Sequence, residues 1–112
     1  MKSAVIAMLL LAGSVNSPQS RSFTGEIMDR PCAAMGTHDR MMKGVNAKDA
    51  KECSRNCARL GLKYVLYDQA TKTTYQIDDQ QKVDAYAGQK VIVKGTYDEA
   101  SKTIHVASIE AQ

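Results

Sequence analysis

The chain has 112 residues and a formal net charge of +3, which indicates one small domain and excludes the strongly basic surface typical of nonspecific nucleic-acid binding. Its apolar runs are all much shorter than the roughly 20 residues that cross a bilayer, so we expect no membrane span. We expect a monomer or a weak oligomer, and the sequence names no partner.

The N-terminus has the pattern of an export signal. Lys2 precedes a short apolar run and three small residues that end at Ser14. This pattern predicts a secretory signal peptide over residues 1–14, with cleavage as late as residue 22 left open. Ser14 stands where a lipoprotein signal has its acylated Cys, so we expect no lipid anchor. We therefore expect an exported protein, periplasmic or extracellular, whose single domain spans residues 23–110.

The first element of that domain is a strand, and a long insertion follows it. Residues 23–28 alternate apolar and polar side chains, the period of a half-buried strand, and Pro31 ends it. The insertion spans residues 32–60, and within it we predict a helix from its N-cap Asn46 to Leu60. Its apolar face has helical spacing and consists of Ala50, Cys53, Cys57 and Leu60.

The remainder of the chain indicates two hairpins. Residues 63–67 with 73–77, and 90–97 with 103–109, are short and rich in aromatic and β-branched residues, and each pair is joined by a turn that begins with Asp. Residues 78–88 between the hairpins form a loop or one helical turn. The pattern predicts a mainly β (α+β) fold, a five-stranded OB-like small barrel with a helical insertion between strands one and two. A twisted open sheet with a helix on one face is the alternative.

The chain also resembles a family. The residues that carry the resemblance are spread over nearly all of the mature chain, and they are Phe23-Thr-Gly-Glu-Ile-Met-Asp29, Cys32-Ala-Ala-Met-Gly36, His38-Asp39, Met41-Met42, Cys53, Cys57, Lys63-Tyr-Val-Leu-Tyr-Asp68 and Gly88-Gln-Lys-Val-Ile-Val-Lys-Gly95. Together they resemble small exported bacterial proteins of unknown function with an OB-like barrel and an insertion that contains Cys, His and Met. The resemblance implies the fold and export, and it implies no activity.

Three cysteines and a histidine form the most specific chemical pattern. Cys53 and Cys57 are four residues apart and so share one face of the predicted helix, while Cys32 and His38 precede them. Four such ligands form a tetrahedral zinc set. Nearby thioethers move the prediction toward copper, because soft ligands select Cu(I). We expect a copper or zinc site with ligands drawn from Cys32, His38, Cys53, Cys57, Met35, Met41 and Met42.

The same residues also fit a structural reading. In an oxidising compartment, a disulfide from Cys32 to Cys53 or Cys57 would fasten the insertion to the strands and leave one thiol spare. The methionines would then pack as hydrophobic side chains, and His38 would lie in an exposed loop. Under that alternative the domain is a disulfide-stapled structural or ligand-binding module without metal. A platform for an oligosaccharide or peptide would come from Tyr64, Tyr67, Tyr75 and Tyr97.

Catalysis is not indicated, and we expect no enzyme. The sequence has no nucleophile elbow, phosphate loop or His-Glu-x-x-His, and the Cys53 and Cys57 pair lacks the two-residue spacing of redox motifs. His105 is predicted to point into solvent from the last strand. The step from Val106 to Ile109 indicates a β-bulge in that strand.

Overall fold

A computed structural model describes residues 19–112, so the predicted signal peptide lies outside the described residues. This part of the chain folds as a mixed five-stranded sheet with helices, which confirms a mainly β (α+β) fold. The strands are β1 (Arg21–Asp29), β2 (Tyr64–Asp68), β3 (Thr73–Ile77), β4 (Lys90–Asp98) and β5 (Thr103–Ala111). The helices are α1 (Arg30–Met35), α2 (Asp39–Gly44), α3 (Ala50–Arg59) and α4 (Gln80–Asp84). Within the described range, none of these helices has the length and apolarity to cross a membrane.

The sheet closes on itself. Its strands pair in the order β1-β2-β3-β5-β4, and β4 pairs back onto β1. The pairing of β3 with β5 is parallel and short, with Gln76 opposite Thr103 and Ile77 opposite Ile104, whereas the other pairings are antiparallel. Each strand therefore has two neighbours, and together the strands form a ring.

The ring encloses the larger hydrophobic core. Alternate residues of a strand point to the same face, so Val91 and Val93 of β4 both enter it. We call this cluster the ring core, and its buried members are Phe23, Ile27, Tyr64, Leu66, Ile77, Val83, Ala87, Val91, Val93 and Ile104.

A second cluster lies on the opposite face of β1 and β2. Ile27 belongs to the ring core, while its neighbour Met28 belongs to the second cluster, and Leu66 and Val65 divide in the same way on β2. The helices that connect these two strands cover this outer face. We call the second cluster the helix core, and its buried members are Met28, Cys32, Ala33, Cys53, Val65 and Tyr67.

Three helices, α1 to α3, lie between β1 and β2, where the sequence predicted one. Pro31 does not only end the strand. It also lies in the first turn of α1, where a missing amide donor is tolerated. The predicted N-cap Asn46 was wrong, because α3 begins later, with the Asp49 side chain accepting from Glu52 N at 2.9 Å. Leu60 was wrongly assigned to the apolar face, since it follows the last helical residue and is 71% exposed.

Two details after the insertion agree with expectation. The segment between the hairpins contains the short helix α4, which buries Val83 in the ring core. In β5, Ser108 lies opposite Lys94 but Val106 lies opposite Gly95, which leaves one extra residue on β5. The predicted bulge between Val106 and Ile109 is thus confirmed.

Candidate metal centre

The centre of the helix core contains a buried carboxylate. Asp29 is the last residue of β1 and the N-cap of α1, and it is fully buried. Its Oδ2 accepts from the Cys32 backbone N at 3.0 Å, and its Oδ1 accepts from Ser54 Oγ at 3.5 Å. The thiols of Cys32 and Cys57 also lie within hydrogen-bonding reach of this carboxyl group, so the donors around it are neutral groups.

Two cysteine thiols lie beside this carboxylate. Cys32 is in the first turn of α1 and Cys53 is in α3, and both are fully buried. Their Sγ atoms are 3.8 Å apart. Two thiolates bound at about 2.3 Å to one tetrahedral ion have the same separation, about 3.8 Å. The two sulfur atoms are therefore at a separation that a thiol–thiol hydrogen bond and a shared tetrahedral ion both allow.

His38 completes the group from the start of α2. Its Nε2 lies 2.7 Å from Glu26 Oε2 on β1, while Nδ1 faces Asp29 Oδ1 at 3.9 Å, beyond hydrogen-bond distance. Nδ1 is buried and has no hydrogen-bond partner among the described residues. One nitrogen of the ring is therefore anchored by a carboxylate, and the other points unpaired toward the buried group.

Together these residues form a compact set of ligand atoms. One ligand atom from each of four residues lies within 4.8 Å of the others, and the four are Asp29, Cys32, His38 and Cys53. We call this set the metal cluster. Two sulfurs, one imidazole nitrogen and one carboxylate oxygen match the ligand types and the number of a tetrahedral transition-metal site.

The surroundings favour the neutral form of the thiols. Burial raises the pKa of Cys32 far above its usual range, and the hydrogen bond and negative charge of Asp29 raise it further. Burial also raises the pKa of Cys53. For His38, the hydrogen bond to Glu26 raises the imidazole pKa, although burial opposes this. A cation bound between Cys32 and Cys53 would lower the pKa of both thiols, because metal ions stabilise bound thiolates.

The predicted ligands divide into two groups. Cys32, His38 and Cys53 meet in the metal cluster. Cys57 is fully buried next to the cluster but is not one of the four, and burial, followed by the nearby Asp29, raises its pKa to about 12.

The three methionines predicted as ligands are not members of the metal cluster. Met35 is 37% exposed at the end of α1, whereas Met41 and Met42 are partly buried against the helix core. All three described cysteines are free, so the predicted disulfide is not formed in this structure.

Sequence reasoning missed Asp29 and Glu26. Asp29 had a signal, since an Asp three residues before Cys32 with a Pro between them is typical of a helix N-cap. Glu26 had none, because only the pairing of the strands and the fold of the insertion bring it to His38.

The other predicted features lie elsewhere. The side chain of His105 is 53% exposed, as expected for a solvent-facing residue, and its Nδ1 lies 3.0 Å from Asp78 Oδ2. The tyrosines do not form one platform. Tyr64 and Tyr67 belong to the two different cores, and Tyr75 and Tyr97 pack edge-to-face with ring centroids 5.7 Å apart.

Comparisons with family models, with curated proteins and with solved structures found no match to this chain. The geometry of the metal cluster is therefore the feature from which a function can be inferred.

Proposed function

We propose that this protein is an exported OB-like domain that binds one transition-metal ion through Asp29, Cys32, His38 and Cys53. The strand order and the short parallel pairing of β3 with β5 support the OB-like assignment. The N-terminal sequence pattern supports export.

The observation that carries the proposal is the unpaired Nδ1 of His38. A buried polar atom without a partner is rare and calls for an explanation. Metal-bound histidines almost always hold their other ring nitrogen to a carboxylate or a carbonyl, as His38 Nε2 is held to Glu26. A bound ion explains the bare nitrogen, the facing sulfurs and the buried carboxylate at the same time.

Zinc and copper are the two ions that the ligands suit. The set of two thiolates, an imidazole and a carboxylate is a complete tetrahedral shell for Zn²⁺. The two thiolates and the imidazole alone suit Cu(I), for which the carboxylate oxygen is too hard a ligand. Three of the four ligand residues are fully buried, which favours holding an ion over catalysis at an open position.

The competing candidate is the disulfide-stapled module, and the 3.8 Å approach of Cys32 Sγ and Cys53 Sγ favours that pair as its bridge. Intact mass and metal content of protein isolated from its native compartment separate the two. Three free thiols and one equivalent of zinc or copper support the metal site. A mass two hydrogens lower without bound metal would overturn it in favour of the disulfide.

A matched pair of variants tests the assignment of the ligands. Cys53→Ser and Cys57→Ser both change a fully buried cysteine of α3, four residues apart. We expect C53S to lose stoichiometric metal binding and C57S to retain it. Equal losses in both variants would mean that the cysteines act through packing, and retention in both would remove Cys53 from the site.

A further inference from the structure

A cleft opens beside the metal cluster, on the outer side of β1. It has a volume of about 530 Å³ and lies between β1, α2 and the turn after β2. Of the four cluster residues, His38 alone lines it, and the His38 side chain is 11% exposed, whereas Asp29, Cys32 and Cys53 are fully buried. An ion that enters from this cleft would therefore meet His38 first.

The charges around the cleft suit a cation. Its lining includes the carboxylates of Glu26, Asp39 and Asp68 against one ammonium group, that of Lys90. A cleft with an excess of one sign concentrates ions of the opposite sign and speeds their association. The cleft therefore favours positively charged ions over anionic ligands.

Two methionine residues line the same cleft. Met28 on β1 and Met42 in α2 both contribute to its wall beside His38. Met28 is 3% exposed and Met42 is partly buried, so both residues pack in the helix core and both also border the cleft that His38 lines. Thioether sulfur is a soft ligand that suits Cu(I), whereas the usual protein ligands of Zn²⁺ are thiolate, imidazole and carboxylate groups.

We propose that this cleft is the entry site of the protein, that Met28 and Met42 bind the incoming ion there, and that the cargo of the metal cluster is Cu(I). The inference rests on the proposed function, because it requires the cluster to bind metal. The thioethers act before the ion reaches its final ligands, so they control the rate of loading and not the final affinity.

The test compares loading rates of the full mature chain in Met→Leu variants. Leu replaces Met with nearly the same volume and removes the sulfur, so the packing is retained. Met42→Leu and the double variant M28L/M42L are compared with Met35→Leu, which changes an exposed methionine outside the cleft. Cu(I) is supplied as its bicinchoninate complex under anaerobic conditions, Zn²⁺ is supplied with a zinc-responsive dye, and both exchanges are followed by stopped-flow absorbance.

We expect M28L/M42L to load Cu(I) at least about tenfold more slowly than wild type, and M42L to show part of that loss. In both variants the equilibrium Cu(I) affinity should stay within about threefold of wild type. Zn²⁺ loading and the M35L variant should be unchanged. Unchanged Cu(I) rates, or an equal slowing of Zn²⁺, would overturn the entry site while leaving the metal cluster intact. A wild-type chain that binds neither ion would instead refute the proposed function itself.

Discussion

The ring core and the helix core lie on opposite faces of the same two strands, β1 and β2, yet different side chains build them. The ring core is aliphatic and aromatic, and burial of its apolar area stabilises it. The helix core surrounds a buried carboxylate, two thiols and an unpaired imidazole nitrogen. The comparison teaches that the two faces of one pair of strands differ in chemistry, because the inner face packs apolar side chains and the outer face encloses four possible metal ligands.

Metal binding should therefore act unequally on the two regions, and this is the largest effect that we expect. An ion present at about a thousandfold excess over its dissociation constant stabilises the native state by about 4 kcal/mol. Differential scanning calorimetry with and without chelator should show that gain. Hydrogen exchange should show the added protection in α1 to α3. If metal instead added protection in β4 and β5 and none in α1 to α3, the proposed difference between the two regions would be contradicted.

Two neighbouring residues on β2 allow the ring core and the helix core to be tested separately. Leu66 faces the ring core and Val65 faces the helix core, and both are fully buried. Leu66→Ala should cost about 2 to 5 kcal/mol of unfolding free energy and leave the metal affinity of the folded protein unchanged. Val65→Ala should cost less stability, about 1 to 3 kcal/mol, but should also weaken metal binding, because it loosens the packing under the ligands.

Urea unfolding of the metal-free proteins and metal titration at a temperature where both variants are folded measure these two quantities. Equal weakening of metal binding by Leu66→Ala and Val65→Ala would contradict the separation of the two cores.

The contrast also explains what the sequence predicted and what it did not. The strands are encoded locally, so residues 73–77 were predicted with the observed bounds of β3 and the bulge near Val106 was found. The caps of short helices depend on single contacts, and Asn46 was chosen where Asp49 caps α3. Cys32 and His38 were recognised by residue type, and Cys53 by residue type and helical spacing. Glu26 was not, because its role exists only after β1 and the insertion have folded together.

An intermediate effect concerns Glu26, which belongs to the strand but orients the histidine of the cluster. Its Oε2 lies 2.7 Å from His38 Nε2. Replacement of such a supporting carboxylate typically costs about 10- to 100-fold in metal affinity, so we expect Glu26→Gln to weaken binding by that factor. Competition titration against a chelator measures it. Asp39→Asn, at an exposed carboxylate next to His38, serves as the control and should stay within about threefold of wild type.

The smallest effect that we expect lies on the ring, away from the cluster. Burial opposes the ionisation of Asp78, but the Val106 backbone amide and His105 outweigh it and lower the pKa of this carboxyl below its ordinary value. A lowered pKa in the folded state stabilises the protein above pH about 4, and that gain is lost as the pH falls through the folded-state pKa.

Asp78→Asn should therefore be less stable than wild type at neutral pH and equally stable at about pH 2. The side chain is 39% exposed, so the difference should stay below about 1 kcal/mol. Thermal unfolding at several pH values tests this, with Glu99→Gln in the exposed β4–β5 turn as the control. A difference that grows toward low pH would contradict the assignment. Metal affinity should not change in Asp78→Asn.

The central claim is tested most directly by anomalous diffraction from crystals of this protein grown with one equivalent of Zn²⁺ or, under anaerobic conditions, of Cu(I). We predict one anomalous peak about 2.3 Å from the Sγ atoms of Cys32 and Cys53 and about 2.0 Å from His38 Nδ1, with His38 Nε2 still held by Glu26. A peak on surface residues alone, or a Cys32–Cys53 disulfide in place of the ion, would contradict the account.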